Sequence, residues 1–93
     1  MIIASAIKFF YQEDKEHKFP QIWTGLRHPD IFERMFKMGI KYDKESHAQG
    51  FLTDLNEFLD RFEATYEAID SKQVSFPAGR ERVALYSEDI WPE

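Results

Sequence analysis

The chain opens with a nearly unbroken apolar run, in which Ile2, Ile3, Ala4, Ala6, Ile7, Phe9 and Phe10 are interrupted by Ser5 and Lys8. A run of that length, rich in β-branched and aromatic residues and bounded by charge, predicts a strand over residues 2–10. Residues 12–18 form a polar connector with Glu13, Asp14, Lys15 and Glu16 in a row. Residues 19–23 then return as a second strand, which Pro20 confines to a sheet edge or to the strand's first turn. A hairpin is the economical pairing.

The period then changes. Arg27, His28, Pro29 and Asp30 open a helix, with proline where its missing N–H would be unpaired anyway. Ile31, Phe32, Met35, Phe36 and Met38 recur at helical spacing, with Glu33, Arg34 and Lys37 opposite, so one apolar face is expected. Gly39 suits the left-handed residue that closes a helix. After a polar crossover over residues 41–46, residues 47–53 and 57–59 read as two short strands joined by Asp54, Leu55 and Asn56. Gly50 inside the first marks a bulge or a close approach to the backbone.

Asp60 and Glu63 have the spacing of a capping box. The helix they open is expected to turn Phe62, Thr65, Tyr66 and Ile69 to one side. Residues 76–79, Phe-Pro-Ala-Gly, read as a turn, residues 80–86 as a last short strand, and residues 87–93 as an acidic tail carrying Trp91. The order is ββαββα. The fold class expected is a small α+β single domain spanning residues 1–93, with a short antiparallel sheet and two helices.

Size changes that picture in one respect. With 93 residues the chain also carries nine Phe, four Tyr and two Trp, and each such ring buries about 150–250 Å². That is more apolar area than one small core needs, so a Phe-rich core and an aromatic interface or pocket are both open readings. Oligomerisation is a common way for small domains to bury more area.

Charge and motifs exclude several function classes. The net charge is −5, from 17 acidic against 12 basic residues, and Lys and Arg are scattered among carboxylates. Long nucleic acid is therefore not an expected partner. The chain has no cysteine, which rules out disulfides and thiolate chemistry. The apolar start lacks a basic region and is too short for a signal-peptide core or a membrane span, so no membrane partner and a cytoplasmic location are expected. His17, His28 and His47 show no ligand spacing, so no metal and no cofactor are expected. The serines lack an elbow motif, and the four glycines form no phosphate loop. No enzyme activity is expected.

What remains is arginine near aromatics. Arg27 and His28 sit at a helix start, which favours anions, four residues after Trp23. Arg27 reads as a phosphate grip or as an exposed terminal residue, and Trp23 as a stacking platform or as core. Phe51 after Gly50, and Arg61 beside the helix cap, admit the same two readings. Arg80 and Arg82 alternate along the last strand and would point to one side.

The ordered segments Ile2-Ile3-Ala4-Ser5-Ala6-Ile7-Lys8, Arg27-His28-Pro29-Asp30-Ile31, Gln49-Gly50-Phe51-Leu52-Thr53, Phe58-Leu59-Asp60-Arg61 with Glu63-Ala64, and Leu85-Tyr86-Ser87-Glu88-Asp89-Ile90-Trp91 resemble a family of small phage proteins. These are the first-described Thoeris anti-defence proteins, which act as sponges for cyclic ADP-ribose isomers. The resemblance implies a homo-oligomer, a dimer or an assembly of dimers, with ligand pockets shared between subunits in the infected bacterial host cell. The ligand would be the cyclic ADP-ribose isomer that a bacterial TIR-domain protein makes from NAD, held without cleavage. Some such proteins also take cyclic oligonucleotides.

By the same resemblance Phe51 would stack on the adenine and Asp60 would lie at the base edge. Arg27, Arg80 and Arg82 would meet the pyrophosphate, with Trp23 and His28 nearby. Two rival expectations stand beside this one: a phage protein that inhibits a host protein by direct binding, and a small nucleotide-cleaving enzyme with an unfamiliar site.

Overall fold

A computed structural model describes residues 1–74 and 84–91. Four strands form one antiparallel sheet: β1 (Ile2–Phe9), β2 (Gln21–Gly25), β3 (Ala48–Thr53) and β4 (Phe58–Asp60), in the order β2-β1-β3-β4. Among the described residues three helices accompany it: α1 (His28–Lys37), α2 (Arg61–Asp70) and the four-residue α3 (Ser87–Ile90). The fold class is α+β, as the alternating and helical patterns predict. The predicted turn at 76–79, with Arg80 and Arg82, lies outside the described residues. The described end of the predicted last strand, residues 84–86, pairs with no strand among the described residues and leads into α3.

The pairing register decides which side of the sheet is core. Ile7 faces Trp23 and Gln49, and Ser5 faces Gly25 and Phe51 across the ladders. Alternation then puts Ser5, Ile7, Phe9, Trp23, Phe51 and Leu59 on one face. The helices lie on that face and split the core in two. Ile7 and Phe9 pack with Ile31 and Met35 of α1. Ile2, Phe51, Ala64, Ala68 and Leu85 form the second cluster under α2.

The predicted returning strand is displaced by two residues. Both carboxylate oxygens of Asp14 accept backbone N–H groups, from Lys18 at 3.1 Å and Phe19 at 2.9 Å. That clasp holds residues 18–19 in the loop, and Pro20 has no N–H for a ladder. Pairing therefore starts at Gln21, opposite Phe9.

Both helix faces also need correction. In α1 the buried residues are His28, Ile31 and Met35, whereas Phe36 is 86% exposed. The buried stripe is narrow because α1 packs mainly on β1 and β2 and reaches β3 only through His28 at its start. In α2 the inward residues are Ala64, Thr65 and Ala68, while Phe62 and Tyr66 are more than half exposed. The rotation follows from the cap: α2 begins directly after β4, and Asp60 accepts from Phe62 N and Glu63 N while Glu63 answers Asp60 N. That reciprocal box fixes the phase of the first turn, and small residues let the helix settle onto the sheet.

Gly39 has φ of +69°, the left-handed value the helix end required. Gly50 marks a close approach. A Cβ there would lie 2.1 Å from Leu59 O and 2.6 Å from the Phe58 ring. No helix among the described residues is long and apolar enough to cross a membrane.

Candidate functional site

The start of α1, the start of α2 and the segment 84–91 meet at one end of the sheet. Leu85 is buried and donates its N–H to Arg61 O at 3.0 Å. Tyr86 N is capped by Asp89 Oδ2 at 2.9 Å, which shapes the turn into α3. Between these pieces lies a cleft of about 290 Å³, lined by His28, Phe32, Gln49, Arg61, Tyr86 and Glu88 among others.

Arg61 dominates this cleft. Its Nη2 donates to Gln49 Oε1 at 2.6 Å, and its guanidinium carbon lies 4.8 Å from the centre of the Tyr86 ring. Its Nε is buried and has no hydrogen-bond partner among the described residues. A buried donor left unpaired costs about 1–3 kcal/mol.

His28 forms the floor and is 3% exposed. Its ring packs edge-on against Phe51, with centroids 5.1 Å apart. Its Nε2 lies 2.7 Å from Gly50 O, and its Nδ1 lies 2.8 Å from Ser87 Oγ. Ser87 Oγ is 2.9 Å from Ser5 Oγ, which donates to Leu26 O at 2.9 Å. Burial lowers the His28 pKa below its ordinary value and the nearby Arg61 charge adds to this; the Gly50 carbonyl and Glu88 oppose it. The imidazole is therefore neutral at pH 7.

Of the residues singled out in the sequence, the cleft brings together His28 and Arg61. Trp23 belongs to the other end of α1, where its edge meets Phe9 and Arg34 lies 5.3 Å from its ring. Arg27 turns toward the end of α3 and donates to Trp91 O at 2.5 Å. Asp60 is spent as the cap of α2. Phe51 is fully buried between strands and α2, so in this conformation it has no free face on which a base could stack. Its part in the site is indirect, through its near-perpendicular contact with the His28 ring.

Gln49, Tyr86 and Glu88 were not among the residues singled out. Periodicity gives them no weight, since each reads as an ordinary polar or exposed position. Their one signal is that they sit inside the ordered segments around Gly50 and Ser87.

Elsewhere, a wider hollow of about 520 Å³ lies between the connector and the crossover, where Tyr11 and Tyr42 face Lys15 and Lys44. One contact across it is made within the protein, with His17 Nε2 3.0 Å from Asp43 Oδ2. Among the described residues no group of His, Asp or Glu could hold a metal ion.

The family model of the phage T4 y16D protein matches residues 1–91. The chain belongs to this family. The match spans β1 through α3, so every described element of the cleft falls within the family's common stretch. No curated protein and no solved structure matches the chain.

Proposed function

We propose that this phage protein binds and sequesters a cyclic ADP-ribose-type signal made by bacterial TIR-domain proteins, and releases it unaltered when unfolded. The observation that carries the reading is the Arg61 guanidinium, buried at Nε without an acceptor beside the Tyr86 ring. A phosphate oxygen is the acceptor such a fork takes best, and an aromatic ring beside it suits an adenine. Gln49 lines the same cleft and holds the guanidinium in place by accepting from Arg61 Nη2 at 2.6 Å.

Sequestration needs affinity and no turnover. To deplete a sub-micromolar signal, the dissociation constant must be about nanomolar or below, near −12 kcal/mol. A cleft of about 290 Å³ falls at the small end of ligand sites, which run from about 300 to 1,000 Å³. A second subunit would complete it, and the exposed Phe62 and Tyr66 of α2 offer apolar surface for that contact.

The test is capture followed by release. Purified protein is incubated with the TIR-made signal, free signal is read with its effector, and the sample is heat-denatured and read again. Sequestration predicts a fall in free signal and its recovery after heating. Signal lost before and after heating means cleavage; signal that never falls removes the sponge reading and favours a host-protein partner.

A further inference from the structure

The buried chain of hydrogen bonds behind the cleft has a proton shortage. Four contacts run in series: His28 Nε2 to Gly50 O, His28 Nδ1 to Ser87 Oγ, Ser87 Oγ to Ser5 Oγ, and Ser5 Oγ to Leu26 O. Each end is a carbonyl, which can only accept. A neutral imidazole and two hydroxyls bring three protons to these four contacts, so one contact is always empty. In the Nε2–H tautomer, Ser87 donates to Nδ1, and Ser5 must choose between Leu26 O and Ser87 Oγ. In the other tautomer the Nε2 lone pair faces the Gly50 carbonyl. An imidazolium fills every contact, with Nδ1–H to Ser87, Ser87 to Ser5, and Ser5 to Leu26.

Geometry and electrostatics thus pull in opposite directions. The bonds favour the charged ring, while burial and Arg61 disfavour it. The charged groups facing His28 are Arg61 from α2 and Glu88 from α3. From β1 and β3 it meets Ser5, Phe51 and backbone carbonyls, none of which titrates near neutrality. On α1 itself, Arg27 is engaged at Trp91 and Asp30 is exposed.

We propose that an anion captured at Arg61 draws a proton onto His28, so that ligand binding and protonation of the Ser5–Ser87–His28 chain are one coupled event. The inference rests on the cleft being the ligand site. Burial is the main reason the ring stays neutral; a phosphate beside Arg61 offsets the Arg61 repulsion that adds to it, and brings an attraction of its own. The proton comes from solvent, enters at the cleft and completes the fourth bond. By reciprocity, if the anion raises the His28 pKa by about one unit, the protonated protein binds the anion about tenfold more tightly.

The experiment is an NMR titration of the His28 ring in the full chain, with and without saturating ADP-ribose, whose diester phosphates keep a fixed charge while an imidazole titrates. His17 and His47 are internal references. The expected result is a His28 midpoint raised by about one unit, with the rise lost in Arg61→Met. An unmoved midpoint in the unmodified protein overturns the coupling, as does a rise that persists in Arg61→Met. The sponge reading is judged separately: capture of the TIR-made signal with an unmoved midpoint removes the coupling and leaves sequestration standing, whereas a moved midpoint without capture does the reverse.

Discussion

The guanidinium of Arg61 lies 4.8 Å from the centre of the Tyr86 ring, and this pair joins the first turn of α2 to the segment that closes over it. Arg61→Met keeps the length of the side chain and its contact with the ring but removes every donor. Loss of a charge-assisted bond of about 1.5–3 kcal/mol lowers signal affinity roughly 10- to 100-fold. The fold stays intact, because removal of the buried unpaired Nε–H offsets the lost bond to Gln49. Calorimetric titration with the TIR-made signal measures the first, thermal unfolding the second. Unchanged affinity would place the site elsewhere.

Phe51 sits at the centre of the cluster under α2. Its truncation to alanine is expected to cost about 3–5 kcal/mol of stability. At roughly 4–8 °C per kcal/mol for a domain of this size, the melting temperature should fall steeply. A Phe51→Ala protein that melts like the parent would contradict this packing.

Gly50 admits no side chain. An added Cβ meets the Leu59 carbonyl oxygen, which is backbone of the neighbouring strand, and the Phe58 ring. Gly50→Ala therefore has to part β3 from β4 and is expected to cost at least about 2 kcal/mol. Denaturant unfolding of the variant measures it.

Gln73 clasps the main chain of Ile2 from both sides: its Oε1 accepts from Ile2 N and its Nε2 donates to Ile2 O, each at 2.8 Å. The clasp lies where β1 shifts register between Ile2 and Ala4. Gln73→Ala leaves two half-buried backbone groups unpaired and should destabilise by about 1–3 kcal/mol. Faster amide exchange at Ile2 and Thr53 would locate the loss there. Unaltered exchange would show the clasp to be dispensable.

Stability of the ligand-free protein should decline with mild acid. His28 has a native pKa lowered from 6.5 by burial, so the unfolded chain binds the proton first as pH falls. The contribution is complete above 6.5 and is lost progressively below it, down to the lower native value. Asp43 and Glu67 are held below 3.8 and 4.5 by the hydroxyls of Ser46 and Ser71 first of all, so they act only at more acid pH. Melting temperatures at pH 7.5, 6.5 and 5.5 measure the trend, and His28→Gln should flatten it. A parent protein equally stable at all three would refute the assignment.

Local physics made much of this fold legible from the chain. The apolar run of β1, Pro29 at a helix start, Gly39 at its end and the Asp60–Glu63 box are each a short-range device, in which a residue's own covalent geometry or nearest hydrogen bonds decide the conformation. Gly50 announced a close approach in the same way, by lacking a side chain.

The tertiary structure decided whatever depends on distant partners. Ile2 and Ile3 are equally apolar, yet the shifted register held by Gln73 buries Ile2 and leaves Ile3 53% exposed. Phe62 and Tyr66 looked inward by periodicity, but the cap after β4 set the helix phase and turned Ala64 and Ala68 to the sheet instead. Among the arginines, Arg27 and Arg61 were equivalent as letters. Only the docking of residues 84–91 sends one to the Trp91 carbonyl and sets the other beside Tyr86 with an unpaired donor. A site assembled from three segments of chain is specified by which surfaces pack together, and packing has no period to read.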